Sequence, residues 1–302
     1  MTTLPMQRHR EPRAFGATGL DVSRLGLGCG GIGESRVTEG EAERLVHAAV
    51  DLGIDFFDAA RSYGLAEERL GRALGPRRTR VVLSTKGGYG ASGCDDWTGA
   101  CITRGIDEAL ARLRTDHLDV FHLHSCPLDV LRRGELHEAL VRAREAGKIR
   151  VAAYSGDNEA LAWSVDSGTF GAVQCSVNVF DQHALRSTLP RAASRSRGVV
   201  AKRPLGNAPW RFAERPIAED VGASWDRMRA MDLDPSPLGW DELALRFTAF
   251  APAIACAVVG TTRVEHLAAA ARAVEAGPLP DDVARRVIER FDAVGSSWPG
   301  MV

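Results

Sequence analysis

Short apolar runs alternate with longer amphipathic ones along the chain. The apolar runs are Ser23–Gly28, Ile54–Phe57, Val81–Thr85, Leu118–Leu123, Ile149–Tyr154, Ala172–Cys175, Gly198–Ala201 and Ala255–Val259. Several are β-branched and almost continuously apolar, the pattern of strands buried on both faces, as in a parallel sheet. Helical periodicity fills the gaps: Glu39–Leu52, Glu67–Leu74, Ile102–Leu113, Leu136–Ala146, Glu159–Ser167, Ala184–Ser194, Trp240–Phe250 and Val264–Ala276. Thr38 with Glu41 three residues on is a capping box that opens the first helix, and Gly53 is placed to close it. Eight βα units with no evident linker predict a closed (β/α)8 TIM barrel, one domain over residues 1–302 with residues 1–12 flexible.

Three segments fall outside that repeat. Phe15–Val22, with Gly16 and Thr18-Gly19 as turn residues, predicts an N-terminal β-hairpin ahead of the first strand. Pro204–Gly239 is a long loop after strand seven, rich in Pro, Gly and Trp, with helical character around Ser224–Met231; a loop of that length is usually functional. Asp281–Val294 predicts one extra C-terminal helix.

Charge and cysteine content narrow the function class. With 38 Lys plus Arg against 39 Asp plus Glu, the net charge is −1, and the charges are scattered. That balance gives no electrostatic basis for binding nucleic acid or an anionic membrane. No apolar run reaches the ~18 residues that span a bilayer. The six cysteines form no CxxC pair and no His/Cys cluster with zinc spacing, so no metal site is expected, and reduced thiols point to a cytoplasmic protein.

Active sites of (β/α)8 barrels lie at the C-terminal strand ends. Here those ends are polar: Asp58, Lys86, His124, Ser155, Gln174 followed by Asn178, Lys202, and Gly260-Thr261-Thr262. Taken singly, such an Asp is usually a helix or turn cap, such a Lys a solvated side chain and such a His a satisfied core residue. Their joint placement on adjacent strands two, three and four is what makes them a constellation. A competing motif is Gly28-Cys29-Gly30-Gly31-Ile32-Gly33, a literal GxGxxG after a strand, which suggests a Rossmann dinucleotide domain. Against it, the helix signal comes five residues after the last glycine, at Thr38, and the chain holds more βα units than that architecture uses.

The segments Phe57-Asp58-Ala59-Ala60-Arg61-Ser62-Tyr63-Gly64, Ser84-Thr85-Lys86 and Leu118-Asp119-Val120-Phe121-His122-Leu123-His124 resemble those of the aldo-keto reductases. Further matches are Gly19–Gly28, Gly147-Lys148-Ile149-Arg150 and Gly260–Leu267, so the resemblance is collinear over residues 13–280. It implies a catalytic tetrad of Asp58, Tyr63, Lys86 and His124. Tyr63 would protonate the carbonyl oxygen as hydride arrives from a nicotinamide. A free tyrosine, with a pKa of about 10, needs help, which a neighbouring Lys86 charge would give. Asp58 would hold Lys86, and His124 would hydrogen-bond the carbonyl oxygen.

The resemblance also implies the cofactor residues. Gly30 and Gly31 would let the backbone approach the nicotinamide-ribose side, beside Asp58. Ser155 and Gln174 would hold the carboxamide, and Arg203, Leu205 and Gly206, with Pro204, the pyrophosphate. Gly260, Thr261, Thr262 and Arg263 would take the adenosine end at a helix N-terminus. Arg263 as a 2′-phosphate partner points to NADP(H), with NAD(H) as the alternative. Three positions depart from the family pattern: Gly156 replaces the usual Asn, with Asp157 and Asn158 as stand-ins, and His266 and Ala270 replace an Arg and an Asn. Substrate-pocket candidates are Tyr89, Trp97, Cys126, Trp210, Phe212 and Trp298. The expected partner is a small carbonyl or alcohol, and the expected state a monomer or weak homo-oligomer. A non-catalytic cofactor-binding barrel acting as a regulatory or partner subunit is the alternative.

Overall fold

A computed structural model of the chain describes residues 12–301. A two-stranded antiparallel ribbon, β1 (Arg13–Ala14) and β2 (Asp21–Val22), precedes eight parallel strands. These are β3 (Leu25–Gly28), β4 (Phe56–Asp58), β5 (Val82–Gly87), β6 (Leu118–His124), β7 (Ile149–Ser155), β8 (Ala172–Ser176), β9 (Gly198–Lys202) and β10 (Cys256–Gly260). Each pairs with the next, and β10 pairs with both β9 and β3, closing the barrel. The expected (β/α)8 architecture, hairpin, long loop and C-terminal helix are all present. Residues 1–11, most of the segment expected to be flexible, lie outside the described residues. No helix among the described residues is long and apolar enough to cross a membrane.

Strand side chains alternate between two environments. One set (Leu27, Phe57, Leu83, Phe121, Leu123, Val173, Val199 and Val259 among them) packs outward against the helices in the main core. The other set faces the barrel axis. Near the N-terminal end it is apolar: Phe56, Val82, Val120, Val151, Ala172, Val200 and Cys256 share a second core with Phe15, Leu20 and Val22 of the hairpin. Phe15 is fully buried, its ring centroid 5.9 Å from that of Phe56, so the ribbon plugs the bottom of the barrel. Two or four residues further along the same strands, the same inward face carries Asp58, Lys86, His124, Ser155, Gln174 and Lys202. Apolar below and polar above, on one parity of residues, is how the fold concentrates chemistry at one end.

Helix boundaries follow the local signals with a few differences. The capping box at Thr38 and Glu41 forms as expected, opening Glu39–Asp51. Thr98 caps a helix that starts three residues before the predicted one, at Gly99. The helix predicted over Ala184–Ser194 is two pieces, His183–Ser187 and Leu189–Ser194, because Pro190 has no N–H to continue the first ladder. In the long loop the helix runs over Glu219–Met231, longer than its apolar periodicity suggested; Glu219 and Asp220 suit its N-terminal dipole. This helix and the C-terminal helix Asp281–Val294 build a third apolar cluster outside the barrel, around Phe180, Met231, Val287 and Phe291.

Phe15→Ala removes the plug at the end opposite the polar mouth. It should lower unfolding stability by about 3–5 kcal/mol in a denaturant titration, with ligand affinity at the mouth unchanged.

Candidate active site

Asp58 and Lys86 end neighbouring strands and point to the same axis. Lys86 Nζ donates to Asp58 Oδ2 at 2.6 Å and to the Ala59 carbonyl at 2.8 Å. The Ser84 hydroxyl donates to Asp58 Oδ1 at 3.0 Å, and His122 Nε2 lies 3.1 Å from Ser84 Oγ. Both ions are almost fully buried. Burial alone would neutralise them. For Asp58 burial, the largest single influence, would raise the pKa, but the Lys86 charge together with His122, the Lys86 hydrogen bond and the Gln174 amide holds the carboxyl below its usual range. For Lys86 burial, again the largest single influence, would lower it, but Asp58, by charge and hydrogen bond, together with Tyr63 and Cys29 holds the ammonium above its usual value. The pair therefore stays charged. Sequence reasoning missed Ser84 and His122. Counting back two residues from Lys86 and from His124 lands on them, and that parity was the signal.

Tyr63 reaches the pair from the loop after β4. Lys86 Nζ sits 5.1 Å from the centre of its ring. The loop is fixed by backbone packing against the glycine segment: Leu65 N donates to Gly33 O at 3.0 Å, and Gly64 is in the left-handed region (φ 55). A methyl group on Gly33 would overlap the Tyr63 carbonyl oxygen, and one on Gly31 would crowd Thr262. Gly33 thus serves the approach of the tyrosine loop, which explains a GxGxxG pattern with no helix at its third glycine. The Rossmann reading does not hold, because β3 belongs to the closed barrel.

His124 completes the group, its ring edge-on to Tyr63 with centroids 6.0 Å apart. Burial first, and the Lys86 charge second, push its pKa down to about 4, so the imidazole is neutral at neutral pH. Its Nδ1 lies 2.8 Å from the Tyr89 hydroxyl. The Tyr89 ring stacks beside it at 5.8 Å and meets Trp97 at 5.6 Å. Of the aromatics and Cys126 expected at the pocket, only Tyr89 and Trp97 stand here. Trp210 stacks on Trp240, Trp298 packs on Phe291, Phe212 is exposed, and Cys126 is buried.

Asp58, Tyr63 and His124 open onto a cavity of about 1110 Å³. Lys86 lies beneath them. Gly30, Gly31, Ser155 and Gln174 line it near the tetrad; Arg203 and Leu205 line it further out, then Gly260, Thr261, Thr262 and Arg263. Gly206 does not line it: a Cβ there would strike Phe180, so this glycine serves packing. Ser155 Oγ donates to Gln174 Oε1 at 2.9 Å. Gln174 Nε2 is buried without a hydrogen bond of good geometry, though close enough to Asp58 to support its charge. The helix Val264–Glu275 has no side-chain cap, which leaves its first-turn N–H groups for an anion. An amide-hungry donor at the inner end and an anion site at the outer end fit a nicotinamide dinucleotide.

The stand-ins for the missing Asn at 156 are committed elsewhere. Asp157 accepts from Ser176 N at 2.8 Å and pairs with Lys202 at 2.8 Å. Asn158 donates to Gly300 O at 3.2 Å and accepts from Gly300 N at 3.0 Å, tying the C-terminal segment to the strand-end loop. Arg203 likewise turns partly to that segment, 3.4 Å from the Met301 carbonyl.

A family model described as "Aldo/keto reductase family" matches residues 24–290. The chain belongs to this family. It is accordingly an oxidoreductase, of a family that acts on small molecules with nicotinamide cofactors. Among relatives, an uncharacterized oxidoreductase of Bacillus subtilis (strain 168), YqkF, is 26% identical over 291 residues, covering 89% of this chain and 93% of its own. A probable voltage-gated potassium channel subunit beta of Oryza sativa subsp. japonica is 30% identical, covering 94% of this chain and 96% of its own. Among solved structures, the holo form of aldo-keto reductase AKR11C1 from Bacillus halodurans superposes with a TM-score of 0.81 at 25% identity, covering 93% of this chain and 96% of that one.

Lys86→Met should cost about 3–5 kcal/mol in unfolding stability, because it strands the buried Asp58 charge. The double variant Asp58→Asn/Lys86→Met should cost clearly less than the sum of the two single variants. Denaturant titrations of the four proteins measure the coupling.

Proposed function

We propose that this aldo-keto reductase, working as a single barrel domain in the cytoplasm and as a monomer or weak homo-oligomer, interconverts aldehydes or ketones with alcohols using NADP(H). The observation that carries the reading is Lys86, held 2.6 Å from Asp58 and 5.1 Å from the Tyr63 ring, with neutral His124 at the same mouth. When bound, a nicotinamide supplies the hydride. As a carbonyl carbon accepts it, negative charge grows on the oxygen. Tyr63 Oη–H gives that oxygen its proton, and the Lys86 ammonium stabilises the phenolate left behind. Asp58 keeps Lys86 charged and in place. His124, neutral, donates a hydrogen bond to the same oxygen through its second ring nitrogen.

Cofactor roles follow from the cavity. Gly30 and Gly31 leave room beside Asp58 for the nicotinamide ribose. Gln174 Nε2 and Ser155 would hold the carboxamide, and Arg203 and Leu205, which line the same cavity, would hold the pyrophosphate. Gly260, Thr261 and Thr262 lead to the open helix N-terminus. Arg263, with an exposed guanidinium 4.0 Å from Glu265, would take a 2′-phosphate, and His266 and Arg272 line the same cavity. This favours NADP(H) over NAD(H).

A second reading draws on the relative named as a potassium channel subunit beta: a barrel that holds cofactor as a partner subunit. Turnover separates the two. The wild-type protein should oxidise NADPH with some members of an aldehyde and ketone panel, and Tyr63→Phe should lower that rate at least ~100-fold with NADPH affinity unchanged. Full activity in Tyr63→Phe would contradict the proton-donor role, and tight NADPH binding with no turnover on the panel would favour the partner-subunit reading.

A further inference from the structure

His124 can donate to a substrate oxygen only from a nitrogen that carries a proton. A neutral imidazole has one such nitrogen, so its tautomer decides whether the residue helps or opposes the reaction. His124 Nε2 makes no hydrogen bond among the described residues, and the side chain lines the cavity. The tautomer is therefore set from the other side, at Nδ1. Only the Tyr89 hydroxyl is recorded there, at 2.8 Å.

Tyr89 comes from the loop after β5, an element of its own. Its ring stacks on His124 at 25° between planes, and Trp97 meets it edge-on with centroids 5.6 Å apart. The phenol has one proton and two polar neighbours: His124 Nδ1 at 2.8 Å and Ser62 Oγ at 3.2 Å. If the proton points to Nδ1, that nitrogen accepts, the imidazole proton sits on Nε2, and Nε2 is the donor the carbonyl needs. If the proton points to Ser62, Nδ1–H donates to the phenol and Nε2 becomes an acceptor that repels a carbonyl oxygen. The distances favour the first arrangement: the contact to Nδ1, at 2.8 Å, is clearly shorter than the one to Ser62, at 3.2 Å.

We propose that Tyr89 is a positioning residue that fixes His124 as the Nε2–H tautomer and so arms it as the hydrogen-bond donor to the substrate. The proposal rests on the carbonyl-reductase reading for its consequence, but the tautomer itself is a property of the protein. Tyr89→Phe is the variant of choice, because it deletes one oxygen and keeps the stacked ring.

The test has two readouts on the full chain with NADP⁺ bound. Nitrogen NMR of ¹⁵N-histidine-labelled protein, with the His124 signals assigned by their loss in His124→Gln, reads the tautomer directly. The expected result is Nε2–H in the wild type and a mixed or Nδ1–H state in Tyr89→Phe. Steady-state NADPH oxidation with aromatic and hydroxy-aldehydes should show kcat lowered about tenfold in Tyr89→Phe, the worth of one hydrogen bond, with KM little changed. A wild-type His124 already carrying its proton on Nδ1, or a Tyr89→Phe protein with an unchanged tautomer, would overturn the assignment. The NMR result decides the matter even where no carbonyl on the panel is turned over, so failure of the assignment and failure of the reductase reading are separable.

Discussion

The buried pair of Asp58 and Lys86 is the interaction on which the rest of the site depends. Two opposite charges at 2.6 Å are taken out of water at the centre of a barrel mouth. That is costly unless each charge is also hydrogen-bonded, and here each is: Asp58 by Ser84, Lys86 by the Ala59 carbonyl. The pair is possible because β4 and β5 run parallel in a register that sets Asp58 beside Ser84, one inward step before Lys86. A fixed positive charge in that position does two things at once. It sits against the Tyr63 ring, where it can stabilise a phenolate, and it helps to keep His124 neutral, where it can donate without titrating.

The glycine-rich segment after β3 shows how one string of letters can serve different physics. In a Rossmann turn the third glycine admits a helix against a strand. Here Gly33 admits the backbone of the Tyr63 loop, and Gly31 the side chain of Thr262. Gly30 and Gly31 remain on the cavity wall, so part of the segment still faces the ligand. The motif therefore joins the Tyr63 loop and the β10 end across the opening of the barrel.

Much of this was legible in the sequence for an identifiable reason. Strands buried on both faces leave near-continuous apolar runs, and a polar residue at the end of such a run is conspicuous; Asp58, Lys86 and His124 stood out in that way. The three-dimensional closure of the barrel followed from the count of βα units. Other features depend on contacts between distant segments and left no local trace. Asn158 holds Gly300 across 142 positions of chain, and Gly206 packs on Phe180 and leaves the cavity wall to Leu205. The split at Pro190 was readable, because a proline cannot continue a helix from within, yet the apolar spacing across it was stronger than that cue. Ser84 and His122 lie on the inward parity but read as ordinary strand residues until the axis of the barrel is known.

The central claim is that the charged pair, Tyr63 and His124 together turn a bound nicotinamide into a reductant of carbonyls. Its most direct measurement is label transfer: NADPH deuterated at C4 of the nicotinamide is incubated with the protein and an aldehyde panel, and the alcohols are analysed by mass spectrometry. The account predicts deuterium on the carbinol carbon with the wild-type protein and its loss with Lys86→Met. Saturating NADPH binding without label in any product, or undiminished transfer in Lys86→Met, would contradict it.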